Sequence, residues 1–125
     1  MPELPEVETT LQAIKLFEKE TLSLIKIHNP NLRWPVDRNI NKKISNKKIH
    51  KIFRRAKYLI FDLSNYYLMI HLGMSGTLRI MNTEDNYFKK HDHAELIFKS
   101  KKLIYNDPRR FGSIHITKSY QDRRR

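Results

Sequence analysis

Apolar residues near the start of the chain recur every three or four positions, and further along they alternate with polar ones. Over residues 5 to about 18, Val7, Leu11, Ile14 and Phe17 fall on one helical face, which predicts a single amphipathic helix with Pro5 near its start. Beyond it the period of two predicts strands over 22–27, 49–53, 58–63, 66–71, 77–81, 94–98, 102–105 and 112–116. Ser64-Asn65 and Ser100-Lys101 read as hairpin turns. Segment 29–46, with Pro30, Pro35 and many Asn and Lys residues, reads as loop-rich. One helix followed by many short, mostly antiparallel strands predicts an α+β fold: an N-terminal helix plus an antiparallel two-sheet β-sandwich.

Length and composition narrow this picture. With 125 residues, 39% hydrophobic, 3 glycines, 5 prolines and no internal repeat, residues 1–125 are expected to form one domain around one core. The chain carries 25 Lys and Arg against 13 Asp and Glu, a formal charge of +12 that suits a polyanion, meaning nucleic acid or an acidic membrane surface. The excess is local. No acid lies between Asp37 and Asp62, while Lys42, Lys43, Lys47, Lys48, Lys51, Arg54, Arg55 and Lys57 do. Such a run is either a solvated face or an anion-binding surface, and its one-sidedness favours the second. There is no cysteine, which excludes disulfides and thiolate zinc sites within this sequence. No apolar run approaches eighteen residues and no charged-then-apolar leader opens the sequence, so the expectation is a soluble intracellular protein without a membrane partner.

Candidate chemistry enters at Met1-Pro2-Glu3-Leu4-Pro5-Glu6-Val7-Glu8-Thr9. Removal of Met1 exposes Pro2 as a secondary amine. A terminal amine near pKa 7.8 is roughly 14% neutral at pH 7, against roughly 0.04% for a lysine, and its condensation with an aldehyde gives a charged iminium. Glu3 and Glu6 stand beside it in sequence as proton carriers. The competing reading is that Pro2 and Pro5 merely start a helix whose positive end the acids complement. Three later segments join or close strands: Arg54-Arg55-Ala56-Lys57-Tyr58, His71-Leu72-Gly73-Met74-Ser75-Gly76 and Asn106-Asp107-Pro108-Arg109-Arg110-Phe111-Gly112. Met74 between two glycines, with Arg109 and Phe111 two apart in a turn, is the set of side chains that enters a base stack and fills the place of an extruded nucleotide. Taken singly, Met74 and Phe111 read equally as core and Arg109 as a surface charge. In His91-Asp92-His93, alternate histidines share a strand face; metal binding and structural hydrogen bonding are both open, and the second is favoured.

Together with Asn31-Leu32-Arg33-Trp34-Pro35-Val36 and Lys90-His91-Asp92-His93, these segments resemble, in order and in spacing, the N-terminal domain of bacterial formamidopyrimidine-DNA glycosylase, the 8-oxoguanine DNA glycosylase family. Leu4, where the related endonuclease VIII branch usually has glycine, and the complete Met74, Arg109, Phe111 triad favour this branch. The resemblance implies a base-excision-repair enzyme that removes oxidised purines and cleaves the strand by β,δ elimination. It implies Pro2 as the nucleophile at sugar C1′, Glu3 as the principal acid/base, Glu6 as a supporting carboxylate and Lys57 near the lesion and its phosphates. His71 and Arg109 would grip backbone phosphates, with Arg109 also facing the orphaned base, and Met74, Arg109 and Phe111 would fill the void.

The implied partner is damaged double-stranded DNA, and the implied location is the bacterial cytoplasm, in association with the nucleoid. Family members continue into a helix-two-turn-helix region and a four-cysteine zinc finger. This sequence ends at Gln121-Asp122-Arg123-Arg124-Arg125 with neither. The expectation is therefore no cofactor or metal in this chain, and either a separate C-terminal half as partner or a weak or idle DNA-binding remnant. An RNA-binding β-domain is the blander alternative.

Overall fold

The computed structural model describes residues 4–118; Pro2, Glu3 and the segment 119–125 lie outside the described residues. Helix α1 (Leu4–Ile14) runs into a 3-10 turn (Lys15–Phe17). Pro5 and Glu6 occupy its first turn, where a missing N–H costs nothing and an acid meets the positive end of the helix. Val7, Leu11, Ile14 and Phe17 are all buried. The apolar stripe thus continues past the point where the α-helix tightens, and the helix ends earlier than its spacing alone predicts.

Ten strands follow among the described residues: β1 (Thr21–Leu22), β2 (Leu24–Ile27), β3 (Lys47–Lys48), β4 (Lys51–Arg55), β5 (Tyr58–Asp62), β6 (Tyr67–His71), β7 (Thr77–Asn82), β8 (Asp92–Ile97), β9 (Lys101–Asn106) and β10 (Ser113–Thr117). One four-stranded antiparallel sheet has the order β10-β6-β5-β4, a second the order β2-β8-β9-β7, and β1 pairs with β3 apart from both. The core takes alternate residues from each sheet: Ile52, Leu59, Phe61, Leu68 and Ile70 from one, and Ile25, Leu96, Leu103 and Tyr105 from the other, with α1 packed on the same cluster. The fold is the α+β arrangement of one N-terminal helix and antiparallel sheets.

Two local departures have physical causes. The predicted strand over 22–27 breaks at Ser23, whose N–H donates to Ile97 O at 2.8 Å and whose carbonyl accepts from Asn46 N at 3.1 Å. Within the segment predicted to be loop lies a short helix, α2 (Ile40–Ile44). It turns Ile40 and Ile44 into the core, and its Asn41 side chain both accepts from Ile25 N and donates to Ile25 O at 2.8 Å. A side-chain amide thereby acts as a strand partner for the edge of β2.

The antiparallel register brings Arg55, Tyr58, His71 and Ser113 into one row across the first sheet, and Lys51, Asp62, Tyr67 and Thr117 into another at its far end. The two rows are four residues apart, about 13 Å at strand rise. The row containing His71 faces the loops that carry the triad.

Candidate nucleic-acid interface

Three loops meet at Gly112. A Cβ on Gly73, whose φ is +66°, would lie 2.5 Å from Gly112 N, so the Met74 loop and the Arg109–Phe111 loop touch backbone to backbone. A Cβ on Gly112 would lie 2.1 Å from the Tyr105 hydroxyl and 2.4 Å from His71 O. Neither position leaves room for a side chain. The third loop is tied in by Arg33 N, which donates to Gly112 O at 3.1 Å.

Under this junction sits Asp107, with no exposed surface. Its Oδ2 accepts from the Tyr105 hydroxyl at 2.6 Å and from Gly112 N at 2.8 Å, and its Oδ1 accepts from Ser75 Oγ at 2.7 Å. Ser75 Oγ in turn accepts from Arg109 N at 3.3 Å. Burial alone would push the Asp107 carboxyl up, but its donors outweigh burial and hold it below the usual carboxylate range. Burial, reinforced by this carboxylate, pushes the Tyr105 phenol up, so it remains a donor. His93 Nε2, 2.7 Å from Asp107 O, and Asp107 N, 3.1 Å from His91 O, fasten the same residue to the second sheet. Asp107, Tyr105 and Ser75 were not singled out from sequence. Ser75 and Asp107 lie in the triad segments and Tyr105 ends the predicted strand before one of them, but their roles arise from contacts between distant parts of the chain.

The geometry leaves the triad standing clear of the core. Met74 is 40% exposed and Phe111 42% exposed, against complete burial of most other large apolar side chains. Arg109 is exposed and its guanidinium lies 5.4 Å from the Phe111 ring centroid, so the two project from one side of the turn. Met74 lies between two clefts. One, of about 360 Å³, is lined by Glu6 and Thr10 of α1 and by Leu72, Met74, Ser75 and Gly76. The other, of about 400 Å³, is lined by His71, Tyr58, Arg33, Trp34 and Phe111.

Gly73 N donates to His71 Nδ1 at 2.9 Å, which leaves Nε2 as the protonated nitrogen of the neutral ring. Burial, with the positive charges of Lys57 and Arg33, holds His71 below its ordinary 6.5. At neutral pH His71 is therefore a neutral N–H donor rather than a cation. Lys57 sits in the two-residue turn between β4 and β5, after Ala56 at φ +53°, at the same end of the sheet. Among the predicted site residues, Glu6, Met74, Lys57, His71, Arg109 and Phe111 gather around the triad loops, while Pro2 and Glu3 lie outside the described residues.

The basic run is spread over several elements, and two of its members have acidic partners. Lys43 Nζ pairs with Asp37 at 2.6 Å, and Arg54 Nε donates to Glu8 at 3.0 Å. Lys51 belongs to the row at the far end of the sheet from the triad. Two of the run's charges are thus paired within the domain, and Arg55, in the same row as His71, and Lys57, in the turn beside it, lie at the triad end of the sheet.

In His91-Asp92-His93, Asp92 accepts from Arg79 Nη2 at 2.8 Å, Lys89 N at 2.8 Å and Asn106 Nδ2 at 2.9 Å. Among the described residues no group of three His, Cys, Asp or Glu side chains is placed to hold a metal ion. No helix among them is long and apolar enough to cross a membrane.

The two-sheet domain thus holds an exposed Met, Arg and Phe on glycine-linked loops, beside a helix terminus bearing a carboxylate. Residues 1–114 match the formamidopyrimidine-DNA glycosylase N-terminal domain, and the chain belongs to that family. It is 46% identical over 114 residues to formamidopyrimidine-DNA glycosylase of Marinobacter nauticus, covering 90% of this chain and 42% of that protein. It is 44% identical over 124 residues to the Haemophilus influenzae protein of the same name, covering 98% and 45%. In structure it is similar to Lactococcus lactis Fpg in complex with DNA containing Fapy-dG, with a TM-score of 0.85 and 33% identity over 96% of this chain and 46% of that one. The chain spans less than half the length of the relatives it matches.

Proposed function

We propose that this domain belongs to a bifunctional DNA glycosylase and AP lyase that removes oxidised purines, 8-oxoguanine and formamidopyrimidines, from double-stranded DNA. The observation that carries the reading is the exposed Met74, Arg109 and Phe111 group, locked from beneath by Asp107, with the Glu6 cleft at its side. Duplex DNA hides C1′, and unstacking a nucleotide costs a few kcal/mol that an inserted wedge and phosphate contacts offset. His71 Nε2–H and the charges of Lys57 and Arg109 are the donors for those phosphates.

In this reading the neutral amine of Pro2 attacks C1′, the glycosidic bond breaks, and the base leaves with the electron pair and takes a proton from water. Glu3 takes the proton released from the attacking nitrogen. The nitrogen lone pair then expels the ring oxygen, which is protonated, leaving a C1′ iminium. The iminium acidifies C2′–H. Loss of that proton breaks the C3′–O bond, and a second elimination breaks the C5′–O bond, with Glu6 supporting Glu3 in the proton transfers. Relatives that carry the glycosylase name support the glycosylase part of this reading.

The test is incision of an end-labelled oligonucleotide bearing one abasic site, with the protein in excess. Fragments ending in phosphate on both sides of the gap are expected. Bound but uncut DNA at every protein concentration would instead make the domain an idle DNA-binding unit.

A further inference from the structure

Trp34 is the only tryptophan in the sequence, and 53% of it is exposed. Its surroundings are rigid. An isolated bridge pairs Asn31 with Pro35, Val36 N donates to Pro30 O at 3.0 Å, and the flanking Leu32 and Val36 are buried in the core. The Arg33 N–H to Gly112 O bond then fastens the tip of this turn to the triad loops. A turn so well anchored has every means of burying an indole, yet it holds this one at the mouth of the 400 Å³ cleft shared with Met74, Phe111 and His71. The Arg33 guanidinium lies over the ring, 5.5 Å from its centroid, so one face of the indole is backed by a cation. The Glu6 cleft lies on the other side of Met74.

We infer that Trp34 is a base-stacking platform: its open face receives an unstacked nucleobase on the side of Met74 away from Glu6, next to the gap the triad holds open. The inference rests on the DNA-binding reading above. A nucleobase is the occupant that fits, because its flat apolar face matches the indole while its phosphates meet Arg33 and the neutral N–H of His71. Stacking of this kind tolerates any base, so it secures a displaced base without reading its identity. Trp34 is therefore a positioning residue for the opened duplex and carries none of the bond-breaking chemistry.

Its uniqueness makes it its own reporter. The full chain is titrated with a short labelled duplex carrying one tetrahydrofuran abasic analogue, and DNA anisotropy and tryptophan emission are followed together. Quenching that saturates at the anisotropy midpoint is expected. Trp34→Ala should weaken binding by about 5- to 150-fold, with most of the affinity kept in Trp34→Phe. Circular dichroism of both variants should match the wild type, because the side chain is exposed. Binding by anisotropy with unmoved emission and an unaltered Trp34→Ala affinity overturns the platform while leaving DNA binding intact. No anisotropy change at any concentration removes both readings. Emission that changes with protein concentration in the absence of DNA assigns the indole to contact between copies, and overturns the inference as well.

Discussion

Replacing Tyr105 by Phe removes one hydrogen-bond donor from beneath the triad and almost nothing else, since the ring is fully buried and keeps its packing. The lost bond, 2.6 Å from the phenol to Asp107 Oδ2, goes to an ionised acceptor and is worth about 1.5–3 kcal/mol. Asp107 keeps Ser75 Oγ and Gly112 N, so the expected cost is near the middle of that range, about 2 kcal/mol. Against the roughly 5–15 kcal/mol that holds a domain together this is large, and it corresponds to a melting point lower by about 6–10 °C. The sign with pH follows from the depressed carboxyl. Its contribution is complete above the ordinary 3.8 and is lost as the pH falls through the folded-state value. The gap between wild type and Tyr105→Phe should therefore be full at pH 7 and narrow on acidification below 3.8, towards the ~1 kcal/mol of a neutral hydrogen bond. Urea midpoints by circular dichroism at several pH values measure it, with Tyr87→Phe, at a 61% exposed tyrosine, as the control expected to change little. A Tyr105→Phe gap under about 0.5 kcal/mol at pH 7, or one that does not narrow in acid, refutes the role given to Asp107.

Gly112→Ala forces a methyl against the Tyr105 hydroxyl and the His71 carbonyl, and should cost at least about 1–3 kcal/mol by thermal melting; a variant as stable as the wild type would mean the loops do not abut. His71, held below 6.5, binds a proton more readily unfolded than folded, and protonation forfeits the Gly73 N–H bond. The stability difference between wild type and His71→Gln should therefore fall as the pH is lowered from 7.5 through 6.5, and a rise contradicts the neutral tautomer. Reversing charge at Lys47, Lys48 and Lys51 should leave the salt dependence of DNA binding nearly unchanged, because Lys51 belongs to the sheet row farthest from His71 and the Lys47–Lys48 strand pairs outside that sheet. If about six phosphates are contacted, affinity should still drop by roughly 10³ between 50 and 200 mM salt, and a shallower slope in the triple variant would restore the run to the interface.

Much of the fold was legible because burial sets the period. Val7, Leu11, Ile14 and Phe17 mark the helical stripe, and Leu59, Phe61, Leu68 and Ile70 mark one face of paired strands, so the pattern reports where the core lies. Helix α2 was not legible: five residues give one i, i+4 pair, Ile40 and Ile44, and its support comes from an Asn41 side chain bound to a strand far away in sequence. The 22–27 strand broke for the same reason, since Ser23 joins two separate partners across the chain. At the site, the unusual residues of the triad segments were visible as Met, Arg and Phe among glycines. What was not visible is why they stay exposed, because Asp107, Tyr105, Ser75 and the Gly73–Gly112 contact exist only once the sheets are assembled. Trp34 stood in a recognisable segment, but its place beside Met74 depends on one backbone bond to Gly112. For the basic run, a count of charges could not show that Lys43 and Arg54 take Asp37 and Glu8 as partners.

Borohydride trapping on abasic-site DNA, followed by mass-spectrometric mapping of the adduct, tests the proposed chemistry most directly. Reduction fixes the iminium to whichever amine formed it. Protein lacking Met1 should carry the sugar on Pro2, Pro2→Gly should trap more weakly while melting like the wild type, and protein that retains Met1 should not trap at all. An adduct on a lysine, or trapping that survives a retained Met1, would contradict Pro2 as the nucleophile.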